Sequence, residues 1–235
     1  AQPAPYRYAL ILAALALLPA MLAIRAAPHT TVRHEEVPVA ASIAPPRAAP
    51  AIFGLLAMIA LVRLLQVAGL AATTTFFNVY LDTALLMPTA QIGAIIAFGR
   101  LLGVPAALAT AGLTARFGNR GVVIGASLGT AISMLPLALI PHWGAAGLSF
   151  IGVIGLSWIR YAASVVYFLE LVPPRRRATV SGVTEMAAGI CFTVLAFGGG
   201  YMIALLGYRS LFLASATITG LSALVFWLCF RSRDQ

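Results

Sequence analysis

Seven long apolar stretches, at about 8–24, 51–80, 91–115, 121–140, 144–169, 179–206 and 209–230, decide what this chain can become. A hydrocarbon core of about 30 Å needs about 20 apolar residues of helix. Inside it the backbone must satisfy its own hydrogen bonds, which a helix does. A soluble helix would carry a one-sided apolar stripe, whereas these stretches are apolar all round. The balance agrees: 61% of residues are hydrophobic and 9% charged, against about a quarter charged in soluble domains. The fold class read from the sequence is all-α, a polytopic membrane protein with seven transmembrane helices.

Turn signals set the boundaries. Residues 1–26 carry one span. Residues 27–50 (APHTTVRHEEVPVAASIAPPRAAP between the first two runs) are rich in Pro, Ala and charge and read as a linker. Residues 51–235 carry six spans joined by short links, so successive helices should be antiparallel neighbours.

All 15 basic residues are arginine, giving a net charge of +9. A soluble protein so basic would suggest nucleic acid, but here the arginines cluster at helix ends and no nucleic acid is expected as a partner. Arg25, Arg33, Arg47, Arg116, Arg120, Arg175, Arg176, Arg177, Arg231 and Arg233 fall on one side, and Arg7 and Arg209 on the other. The positive-inside rule then sets the N-terminus outside and the C-terminus in the cytoplasm, in the plasma membrane of the cell. ELVPPRRRATVSG, residues 170–182, is the densest anchor: Pro173 and Pro174 stop one helix and three arginines hold the turn. IRAAP, at 24–28, offers a signal-cleavage site, but cleavage there would turn every arginine-rich loop outward. An odd number of spans with an external N-terminus and no initiating Met reads as the C-terminal part of a longer polypeptide.

Three arginines lie deep in spans: Arg63, Arg100 and Arg160. Each costs about 2.5–3.5 kcal/mol at the centre of an inserting helix, so each should face a partner or a cavity. Ser157, Arg160, Tyr161, Ser164 and Tyr167 recur at steps of three and four and form one helical stripe. Arg63, Gln66, Thr73 and Thr74 fall on one arc of the second span. Arg63, Gln66, Thr73, Arg100, Ser157, Arg160, Tyr161 and Ser164 are therefore the candidate solute-pathway residues. Glu185 is the acid well inside the membrane, read either as a proton carrier or as a fixed ion pair, with Arg160 the expected counter-ion. The excess of arginine over acid points to an anionic solute. Pro105 and Pro136 should kink their helices, and Gly198–Gly200 should let backbones approach closely.

Several stretches resemble the C-terminal half of a major facilitator superfamily transporter. FFNVYLD (76–82) and PTAQIGAIIAFGRLLGVPAAL (88–108) look like that family's seventh and eighth helices. LTARFGNRG (113–121) is similar to its cytoplasmic loop motif, with Leu113, Arg116, Gly118 and Arg120 matching and Ala115 standing at the acidic position. ELVPPRRRATVSG and GGGYMIALLGYRSLFLASA resemble its last two turns. The resemblance implies that the last six spans form a six-helix bundle. It also implies secondary active transport of a small solute by alternating access. The expected partners are a small-molecule substrate, the lipid bilayer, and the missing N-terminal half or a second copy.

A retinal protein needs a lysine, and the chain has none; a seven-helix receptor fits poorly with the linker at 27–50. Cys191, Cys229, His29, His34 and His142 stand at no metal-ligand spacing, so no metal, disulfide, cofactor or catalytic residue is expected. The alternatives are a non-transporting fragment of a carrier and a seven-helix membrane receptor.

Overall fold

The computed structural model describes residues 49–231, all of whose regular elements are helical. The expected span at 8–24 lies outside them, as does the linker at 27–50 apart from its last two residues. The elements are α1 (Ala49–Thr83), α2 (Thr89–Ser133), α3 (Leu135–Leu139), α4 (Trp143–Glu170), a 3₁₀ turn (Pro174–Arg176) and α5 (Arg177–Phe230). Among the described residues four stretches are long and apolar enough to cross a membrane: Phe53–Thr83, Thr89–Leu139, Trp143–Glu170 and Pro174–Phe230.

Two of these stretches are hairpins. At about 1.5 Å per residue, the 51 residues of Thr89–Leu139 would reach about 76 Å if straight. Gly103 and Gly129, about 39 Å apart on a straight helix, both abut one turn of α4. A Cβ on Gly103 would lie 3.0 Å from the Trp158 ring, and one on Gly129 would lie 2.9 Å from Leu156. The chain doubles back at Gly118, whose φ of 71° and ψ of 159° belong to a region almost reserved for glycine. Likewise Val180 and Phe226 share one apolar cluster, although they sit on the two arms of α5. The reversal there is Gly207, at φ 81° and ψ 171°. The two arms of α2 are thus 89–117 and 119–133, and those of α5 are 177–206 and 208–230.

With α1 and α4 these arms make six helical rods; once α3 is added to the 119–133 arm, their limits fall within a few residues of the last six apolar stretches. The expected kinks differ from each other. Near Pro136 the helix breaks at Met134 and restarts as α3, whereas Pro105 sits within α2 without interrupting its helical dihedrals.

Apolar clusters close both ends of the rods. Phe77, Leu81, Ile92, Met134, Phe150 and Phe212 gather at one end, with Phe77 and Phe150 stacked at 4.4 Å between centroids. Ile59, Val123, Phe168, Val180, Phe226 and Phe230 gather at the other. The turns bearing Arg116, Arg120 and Arg175–Arg177, and the helix end at Arg231, adjoin this second cluster. Arg120 Nη2 donates to the Trp227 carbonyl at 3.4 Å, tying two of those turns together. Folding therefore collects at one end the described arginines of that side, Arg116, Arg120, Arg175–Arg177 and Arg231, while Arg25, Arg33, Arg47 and Arg233 lie outside the described residues.

Small residues set the spacing between rods, as membrane helices commonly require. A Cβ on Gly99 would stand 2.5 Å from the Phe150 ring, and one on Gly152 2.6 Å from Ser133 Oγ. Of the three glycines at 198–200, only Gly199 makes such an approach, to the Phe76 ring.

Candidate functional site

Between the end clusters lies a layer of buried polar side chains. Many of its hydroxyls are satisfied by their own helix. Ser127 Oγ donates to the Val123 carbonyl at 2.8 Å and Thr130 Oγ1 to that of Ala126 at 2.7 Å, the usual back-bonding of short hydroxyls. Gln66, Thr73, Ser164 and Arg160 differ. They are at most 1% exposed, and atoms of each lack a hydrogen-bond partner among the described residues. Leaving such groups unpaired costs about 1–3 kcal/mol each.

A cavity of about 700 Å³ opens beside this layer, walled by α1, the 89–117 arm, α4 and the 177–206 arm. Its polar lining comprises Arg63, Thr74, Arg100, Ser157, Arg160, Tyr161 and Glu185. Five of the eight expected pathway residues therefore meet there: Arg63, Arg100, Ser157, Arg160 and Tyr161. Gln66, Thr73 and Ser164 are buried but do not line it. Tyr167, although on the α4 stripe, packs with Phe168, Phe226 and Phe230 in the apolar end cluster.

Glu185 takes a different partner from the one expected. Its Oε1 stands 4.0 Å from Arg63 Nη2 and accepts from the Tyr161 hydroxyl at 3.3 Å. The Arg63 guanidinium also lies over the Tyr161 ring, 4.9 Å from its centroid, a cation–π arrangement. Helical phase explains the correction. Tyr161 follows Arg160 by one residue, a rotation of about 100°, and it is the Tyr161 side that meets the 177–206 arm.

Arg160 is the most enclosed charge, 1% exposed. Nη2 donates to Ser157 Oγ, one turn back, at 3.3 Å. Nε and Nη1 are buried without partners, and no carboxylate pairs with this guanidinium among the described residues. Arg100, by contrast, is an exposed part of the wall.

The rest of the wall was not read from the sequence: Leu70, Val104, Leu108, Ile154, Trp158 and Phe192. A periodic signal existed. Leu70 follows Arg63 by seven residues, Val104 and Leu108 follow Arg100 by four and eight, and Phe192 follows Glu185 by seven, each sharing its charge's face.

The loop motif at 113–121 has structural roles. Leu113 packs on the apolar end cluster, the Arg116 guanidinium lies 5.3 Å from the Phe117 ring centroid, Gly118 makes the reversal, and Arg120 crosses to α5. His142 caps α4, its Nδ1 accepting from the Gly144 amide at 3.1 Å. Among the described residues no group of three His, Cys, Asp or Glu gathers to hold a metal. No protein-family model and no curated protein matches the chain.

Proposed function

We propose that this chain carries the solute-binding half of a secondary transporter of the major facilitator type, moving a small solute across the plasma membrane by alternating access. The six rods act as six separate membrane crossings, and the arginine-rich end is cytoplasmic. The observation that carries the reading is the cavity: a largely apolar recess that carries three arginines and one acid, between two apolar end clusters. A charge at that depth on a lipid-facing surface costs several kcal/mol; a charge lining a wet passage does not.

The recess is one-sided. Arg100 and Glu185 line it, yet both are exposed. They need a second protein body across from them, supplied by an N-terminal six-helix half or by a second copy. Glu185, paired with Arg63 and Tyr161 and open to the recess, is the acid this reading assigns to proton coupling.

Flux measurements test the reading. The full-length protein in sealed liposomes should pass at least one member of a panel of small organic solutes faster than protein-free liposomes. Equal rates across the panel would favour the alternative of a non-transporting membrane protein.

A further inference from the structure

The cavity wall specifies the chemistry of what it would hold. Arg160 offers five N–H donors, of which only one, on Nη2, meets an acceptor among the described residues. The single acid in the wall is already engaged by Arg63 and Tyr161. Around them Leu70, Val104, Leu108, Ile154, Trp158 and Phe192 provide apolar surface without acceptors.

We infer that the solute is an organic monocarboxylate with an apolar or aromatic body, its carboxylate held by Arg160 and its body lying against Trp158 and Phe192. The inference rests on reading this cavity as the solute site. A planar carboxylate takes two parallel hydrogen bonds from one guanidinium, and Arg160 has such a fork to give. A phosphate, with three strong acceptor oxygens, would call on Arg63 or Arg100 as well as Arg160, whereas the planar fork of one guanidinium satisfies a carboxylate. A neutral amide would meet Arg160 with one acceptor and leave its other donors orphaned. Nε and Nη1 are covered in the present arrangement, so seating the carboxylate turns the arginine head towards the cavity its side chain already lines.

Trp158 supplies the reporter. The chain has three tryptophans, Trp143, Trp158 and Trp227, and Trp143→Phe with Trp227→Phe leaves only the one in the cavity wall. In that background of the full-length protein in detergent, benzoate should change Trp158 fluorescence saturably, whereas benzamide and inorganic phosphate should not. Arg160→Gln should weaken benzoate at least about tenfold, the loss expected for a charge-assisted pair, and Arg160→Lys should keep part of the affinity.

Benzamide binding as well as benzoate, or phosphate competing on equal terms, would overturn the inference. So would Arg160→Lys or Arg160→Gln binding benzoate like the parent. Benzoate binding that depends on Arg160 without solute flux would leave this inference standing and remove the transport reading. Flux of neutral solutes without benzoate binding would do the reverse.

Discussion

Arg63 Nη2 lies 4.0 Å from Glu185 Oε1, joining α1 to the 177–206 arm across the cavity, while Arg160 is left with a serine. One acid among three arginines thus neutralises the guanidinium on α1 and not the more deeply enclosed one on α4. The division leaves one guanidinium paired with a carboxylate and the other with a serine as its acceptor among the described residues.

Glu185→Gln probes the paired charge. The carboxylate side chain is 60% exposed, so its contribution to stability should be about 1 kcal/mol or less, and the thermal midpoint in detergent should move only slightly. Proton-driven accumulation of solute should be lost while downhill exchange persists, which paired uptake and exchange assays would separate.

The two reversals should be intolerant of a Cβ. Gly118→Ala and Gly207→Ala place a side chain at φ 71° and φ 81°, costing about 1–3 kcal/mol each. Gly112→Ala adds its methyl where nothing lies within 4 Å, on a helix that alanine favours. Thermal unfolding in detergent should show the first two lowered and the third unchanged or raised.

Close rod contacts make a separate prediction. Gly99→Ala drives a methyl to 2.5 Å from the Phe150 ring, an overpacking worth about 1–3 kcal/mol of destabilisation. Gly93→Ala, six residues earlier and open, is the matched control in the same thermal assay.

The sequence made the rods legible because helices in lipid must be apolar all round, and Gly118 and Gly207 stood in the gaps between apolar stretches. The stripe on α4 was equally legible, since Ser157, Arg160, Tyr161 and Ser164 share a face whatever surrounds them. Pairing across rods was not legible. Whether Arg63 or Arg160 meets Glu185 depends on how α1 and α4 are rotated about their axes, which no single helix encodes. Leu70 and Phe192 share a face with Arg63 and Glu185, but that periodicity alone does not separate a cavity wall from packed interior, and Trp158 follows no charge at such a spacing.

Topology offers a further check. Arg175, Arg176 and Arg177 form most of the charge on the turn before α5. Replacing all three with glutamine should yield a mixture of orientations, read from reporter fusions on either side of that turn, because positive charge near a span sets its direction. An unaltered single orientation would shift the topological signal to the other arginine-rich turns.

Two-sided access to the cavity bears most directly on the account. In a background with Cys191→Ala and Cys229→Ala, a single cysteine at Leu108, in the exposed cavity wall, can be offered a membrane-impermeant maleimide from either face of sealed vesicles. The account predicts labelling from both faces, with benzoate slowing each. Labelling from one face alone, or none, would contradict a passage that opens to the two sides in turn.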